Sequence, residues 1–192
     1  MSLRRARAAL FLLAAAACSD STGPVNRPPA DLNILRFAAG APPLLSNSVT
    51  FTACEGTQAE GALYYDDGSG GQGRRFARLR LDDQSLFRRP DGTPFASGDC
   101  VDITIAVVDP GSGELLLELQ PTGLQFRATE PAELDMEYRE AEGVTPAIEA
   151  ELGIWRQESP GDSFVRIGTV VIEDLDEVEA ELTGFSRYAL AY

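Results

Sequence analysis

The side chains able to do chemistry in this chain are carboxylates, arginines and three cysteines. Of 192 residues, 30 are Asp or Glu and 16 are basic, every one of the latter an arginine, and there is no histidine. A histidine general base, a His-ligated zinc and a Schiff-base lysine are therefore excluded. A serine nucleophile would need another base, and Gly68-Ser69-Gly70 and Gly111-Ser112-Gly113 lack the G-x-S-x-G elbow that would expose one. The composition leaves open a pair of carboxylates acting as acid and nucleophile of a glycosidase. Among 30 acidic residues such a pair arises by chance, so the count assigns no catalytic residue. The chain reads as non-enzymatic and without a cofactor.

Three acidic groupings have a second reading as cation sites. Asp66 and Asp67, followed by Gly68-Ser69-Gly70-Gly71, combine hard oxygen ligands with a flexible turn, the make-up of a calcium loop. They lack the EF-hand spacing and its closing glutamate, and the same residues suit a solvated hairpin loop. Asp99, Asp102 and Asp109 bracket one candidate strand, and Asp99 or Asp109 would serve either a loop-end cation site or a solvated edge. The run from Glu173 to Glu179 is a charged face of the kind that keeps an edge strand from pairing with other chains. Ligand recognition by stacking would fall to Trp155, with Tyr64 or Tyr65 if they converge on one surface. Buried, the same rings are core.

At the start of the chain, Arg4-Arg5-Ala6-Arg7 precedes an apolar run from Ala8 to Ala17 that ends at Cys18. Basic then apolar is the order of an export signal, and about ten residues are too few to span a bilayer, which takes roughly 20. The segment resembles the lipobox of bacterial lipoproteins. That resemblance implies removal of residues 1–17 as a signal peptide, lipid on the Cys18 thiol, and a membrane partner reached through acyl chains. Ala15 stands where the pattern usually has leucine, and Ala15-Ala16-Ala17 equally fits an ordinary secretory cut, which would give a secreted protein. Residues 18–31, with Ser19-Asp20-Ser21-Thr22-Gly23-Pro24 and Pro28-Pro29, have the small, polar, proline-broken make-up of a tether. Ser19 rather than Asp after the cysteine points, by the same resemblance, to the outer membrane or cell surface, with the periplasmic face also open.

With Cys18 assigned to lipid, Cys54 and Cys100 form an even pair in an oxidising compartment and are expected to bridge, the alternative being two buried thiols. The net charge of −14 argues against nucleic acid as a partner, since phosphate contacts need clustered positive charge. It argues equally against adhesion to anionic lipid.

Period-two alternation recurs along residues 32–192, read as a single domain. Ala77, Leu79 and Leu81 alternate with Arg78 and Arg80, and Val101, Ile103, Ile105 and Val107 with Asp102 and Thr104. In Ala132-Glu133-Leu134-Asp135-Met136-Glu137-Tyr138-Arg139 one face is wholly apolar and the other wholly charged. These are half-buried antiparallel strands. Further strands are predicted over 49–54, 61–65, 115–119, 123–127, 150–156, 164–172, 177–182 and 187–192, with Gly- and Pro-rich turns between them. The expected class is all-β, an antiparallel β-sandwich with at most one short helix, over 140–151, where Pro146 interrupts.

Four pieces carry a family resemblance: Pro121-Thr122-Gly123-Leu124-Gln125-Phe126, then Pro131-Ala132-Glu133-Leu134 with Tyr138, then Leu152-Gly153-Ile154-Trp155-Arg156, and finally Gly184-Phe185-Ser186-Arg187-Tyr188-Ala189-Leu190. Together they resemble ZU5-like domains of exported bacterial proteins, over residues 95–192. The resemblance implies an immunoglobulin-like sandwich used as a binding or spacer module, with no catalytic residues. The final piece reads as a closing strand burying Phe185, Tyr188 and Leu190. The expectation is a cell-envelope lipoprotein whose sandwich is a structural or protein-interaction module with an envelope or extracellular protein as partner. The alternative is a small-ligand or carbohydrate-binding module of the cell surface.

Overall fold

The computed structural model describes residues 25–192, so the leader and Cys18 lie outside the described residues. In chain order the strands are β1 (Asn26–Arg27), β2 (Ser48–Cys54), β3 (Ala59–Asp66), β4 (Gln72–Leu81), β5 (Leu86–Arg88), β6 (Cys100–Val107), β7 (Leu116–Gln120), β8 (Gln125–Phe126), β9 (Ala132–Glu137), β10 (Gly153–Gln157), β11 (Phe164–Arg166), β12 (Thr169–Ile172), β13 (Glu177–Leu182) and β14 (Arg187–Ala191). They form an antiparallel sandwich. One sheet has the order β1-β11-β10-β14-β7-β6-β2, the other β12-β13-β9-β4-β3, and β5 and β8 make a separate two-stranded ribbon. No helix among the described residues is long and apolar enough to cross a membrane.

The predicted alternation is what packs the two sheets. Leu79 and Leu81 of β4, Leu134 and Met136 of β9, and Val178 and Leu182 of β13 meet Ile103 and Ile105 of β6, Leu117 and Leu119 of β7, and Tyr188 and Leu190 of β14 in one apolar core. Each such side chain, fully buried, contributes roughly 1.5–3 kcal/mol by transfer from water. Phe185, Tyr188 and Leu190 of the closing stretch are all buried, as their spacing predicts.

Alternation breaks where the chain needs an irregular backbone. Phe76 and Ala77 of β4 are consecutive and both buried, opposite register shifts at Leu63/Tyr64 and Tyr64/Asp66 of β3. This β-bulge reverses the side-chain phase, so that Arg75 as well as Arg78 and Arg80 leave the core. The predicted strand over 164–172 is two strands: β11 pairs with β10 in the larger sheet, and after Ile167-Gly168 the chain enters the smaller sheet as β12. Switching sheets in this way closes a corner of the sandwich. Pro146, predicted to interrupt a helix, starts one. Thr145 is the N-cap, accepting from the Ile148 N–H, and Pro146 occupies the first turn of α1 (Pro146–Glu149), where its missing N–H is no loss.

A second apolar cluster lies on the other side of the larger sheet, where Leu32, Leu116, Trp155, Phe164, Ala189 and Ala191 are buried together. The N-terminal segment covers it. The tether reading extends to residue 31, yet Asn26 and Arg27 already pair with Val165 and Phe164 of β11, and the Arg27 guanidinium lies 5.2 Å from the centroid of the Trp155 ring.

Cys54 and Cys100 face each other across the β2–β6 ladder and are disulfide-bonded, with a sequence separation of 46. Closing a loop of that length restricts the unfolded chain by about 4 kcal/mol in the chain-entropy treatment. Reduction, or Cys54→Ser with Cys100→Ser, is expected to lower unfolding free energy by 2–4 kcal/mol, read by denaturant titration. At Gly61 an added Cβ would lie 2.2 Å from Phe51 Cδ1. Gly61→Ala is therefore expected to cost about 1–3 kcal/mol by the same measurement.

Candidate binding cleft and the charged sheet face

The acidic residues singled out from the sequence are used locally. Asp66 Oδ1 accepts the N–H groups of Gly68 and Gly70 at 2.7 and 3.0 Å, and Asp67 Oδ1 those of Ser69 and Gly71 at 2.8 and 3.0 Å. The Ser69 hydroxyl also donates to Asp67, and this bond is the first cause holding that carboxyl below its ordinary range. These carboxylates close the hairpin loop. Asp99 accepts the Ala96 N–H and pairs with Arg89 at 3.1 Å, Asp102 accepts from the Thr52 hydroxyl at 2.7 Å, and Asp109 sits in a turn with φ 45°. The three do not come together.

The candidate stacking residues are core. Trp155 is 1% exposed and its indole N–H donates to the Ala191 carbonyl at 3.2 Å, so it offers no platform to a ligand. Tyr65 is buried in an aromatic group with Phe37 and Phe76, where desolvation drives its phenol far above the usual range. Tyr64 points the opposite way along β3 and is half-buried, so the aromatics do not converge.

The charged face of β9 is the more unusual feature. Asp135 and Glu137 are 1% and 3% exposed although they face away from the core. The arginines of β4 cover them. Arg78 Nε donates to Asp135 at 2.7 Å, Arg74 pairs with Glu137 at 2.6 Å and Glu140 at 2.5 Å, Arg75 with Glu177 at 2.7 Å, and Arg80 with Glu133 at 2.5 Å. Oxygens of Glu133, Asp135 and Glu179 lie within 4.8 Å of one another, and the first two carboxylates are also paired with Arg80 and Arg78. Burial raises the Glu137 carboxyl despite Arg74. Burial, then the charges of Asp135, Glu133 and Glu177, raise that of Glu179.

Away from this face, an open cleft of about 840 Å³ lies beside the β5–β8 ribbon. Its floor is Leu124, Phe126 and Phe185, all buried, with the two phenyl rings edge-on at 5.0 Å. The backbone there is tightly fixed. Gln125 bridges to Gly184, the Phe185 N–H donates to the Leu124 carbonyl at 2.9 Å, and the Tyr188 hydroxyl donates to the Gly184 carbonyl. A Cβ on Gly184 would lie 3.0 Å from the Leu124 carbonyl oxygen, so glycine is what permits this approach. The walls carry two ion pairs, Arg127 with Glu55 at 2.8 Å and Arg156 with Glu158 at 2.5 Å. Exposed Thr122, Gln125, Thr183 and Phe87 also line it, as do Thr129 and Ser159.

The sequence did not mark these residues as a site, because neutral polar side chains on turns form no recognisable spacing. No protein-family model matches the chain, and neither a curated protein nor a solved structure matches it significantly.

Because the Glu179 carboxyl is raised in the folded state, that state holds its proton to higher pH than the unfolded chain does. Its contribution to stability is therefore present below the ordinary glutamate value of 4.5 and is lost as pH rises through the raised folded value. Glu179→Gln is expected to raise the thermal midpoint at pH 7 and to leave it unchanged at pH 4. Equal midpoints for the two proteins at pH 7 would contradict the burial and repulsion that raise this carboxyl.

Proposed function

We propose that the protein is a non-enzymatic cell-envelope lipoprotein, cut before Cys18 and held by acyl chains on that residue, whose β-sandwich is a structural or protein-interaction module. The observation that carries the reading is how near Cys18 the described sheet pairing comes. Sheet pairing starts at Asn26, about eight residues after Cys18, and a chain of that length spans at most about 25–30 Å. An anchor at Cys18 would hold the sandwich against the membrane surface. The Cys54–Cys100 bridge supports the reading, since disulfides persist in oxidising compartments outside the cytosol. So does the partnering of carboxylates on the β9 face with arginines, which leaves them structural work. The ZU5-like character of residues 95–192 and an outer-membrane or cell-surface location belong to the same proposal.

The test is intact-mass spectrometry and fractionation of the protein from its native cells, beside Cys18→Ala. A diacyl or triacyl mass at Cys18 and a membrane-bound protein that becomes soluble in the variant are expected. An unmodified chain in the soluble or medium fraction would replace the tethered module with a secreted one.

A further inference from the structure

The geometry points to the cleft beside the β5–β8 ribbon as a binding site for a neutral saccharide. The charge of its walls selects against other ligands. Arg127 is tied to Glu55 and Arg156 to Glu158, so the charged groups lining the walls are paired with one another; Arg88, beside Phe87 at the mouth, makes no ion pair among the described residues and donates to the Gly92 carbonyl at 3.1 Å. The backbone is equally committed. The Phe126 N–H donates to the Thr183 carbonyl, that of Phe185 to Leu124 and that of Gly123 to Phe185, which leaves no free ladder for an extended peptide to join.

Among the neutral groups able both to donate and to accept are the hydroxyls of Thr122 and Thr183 and the amide of Gln125, beside the hydroxyls of Thr129 and Ser159. The first three are exposed and, among the described residues, make no side-chain hydrogen bond within the chain. A sugar hydroxyl is also donor and acceptor, so these groups match it in either proton orientation. Phe87 at the mouth is 39% exposed and is the only aromatic among the exposed large apolar side chains of the described residues. The Arg88 guanidinium lies 4.9 Å from its ring centroid and steadies it. A flat ring with an electron-rich face suits the C–H face of a pyranose. A volume of about 840 Å³ falls within the size of small-ligand sites, roughly 300–1,000 Å³. The site goes beyond the tethered-module reading and stands without the lipid anchor, so each can fail alone.

The full-length protein, in its natural processing state, is titrated with cellotetraose, maltotetraose, mannotetraose and chitotetraose while amide resonances are followed. It is also sedimented with insoluble cellulose and with purified peptidoglycan. Shifts confined to 122–127 and 183–185 with at least one oligosaccharide support the site and mark a free sugar as ligand. Co-sedimentation that a soluble tetrasaccharide competes away supports it and marks a polymer. Phe87→Ala is expected to weaken binding about tenfold with the thermal midpoint kept, because the ring is exposed, and Gln125→Ala to weaken it as well. Absence of shifts and of co-sedimentation with every probe overturns the site. Binding that both variants leave unchanged does the same.

Discussion

β9 is buried on both faces, and the rest of the molecule is arranged around that constraint. Its apolar face, Ala132, Leu134 and Met136, is fully in the core, while Asp135 and Glu137 on the other face are almost as inaccessible. A buried carboxylate without a partner would cost several kcal/mol, so β4 must bring arginines across it. The bulge at Phe76-Ala77 is what lets one strand supply both core residues and Arg75, Arg78 and Arg80 to the opposite side. Cross-strand register then fixes the partners: Arg78 stands opposite Asp135 and Arg80 opposite Glu133. A one-residue slip would bury arginine in the core and expose leucine, so the ion pairs and the core specify the same register.

That constraint also decides where recognition is available. The outer face of the smaller sheet is densely charged, and its groups are largely paired with one another. The outer face of the larger sheet is sealed at Trp155 by the N-terminal segment. The end of the sandwich is less committed, where the β5–β8 ribbon and the Gly184 turn lie over an aromatic floor. Loops held at fixed positions by a sheet scaffold are where binding groups are commonly placed. Here the exposed lining groups that are not in ion pairs are neutral, in a chain of net charge −14.

Most of the fold was legible because alternation is a direct record of a half-buried sheet. β9, β13 and β14 could be read from Leu134, Val178 and Leu190 and their charged or polar neighbours. The misses share a cause: each depends on a backbone event that side-chain periodicity does not encode. The bulge in β4 placed Arg75 on the charged face, Gly168 sent one apparent strand into two sheets, and Pro146 began a helix because Thr145 before it could cap. The cleft was illegible for a different reason. Thr122, Gln125 and Thr183 are unremarkable residues 3 and 58 positions apart, and only the bridge from Gln125 to Gly184 brings them together.

The N-terminal segment of the described residues is tied into the fold. Asn26 and Arg27 extend the larger sheet at β11, Arg27 and Arg166 flank Trp155 at 5.2 and 6.0 Å from its centroid, and Leu32 and Ile34 pack onto the same cluster. The chain then runs antiparallel to its own end, with Ile34 bridging to Ala191 and the Leu35 N–H donating to the Leu190 carbonyl at 2.9 Å. First and last described segments are thus joined through backbone hydrogen bonds. A pull on Asn26 would therefore be resisted by β11, β10 and β14 together. Any membrane attachment ahead of Asn26 would be coupled to the whole sandwich rather than to a loose arm. The cleft, which draws Arg156 from β10, would be held at a set orientation by the same strands.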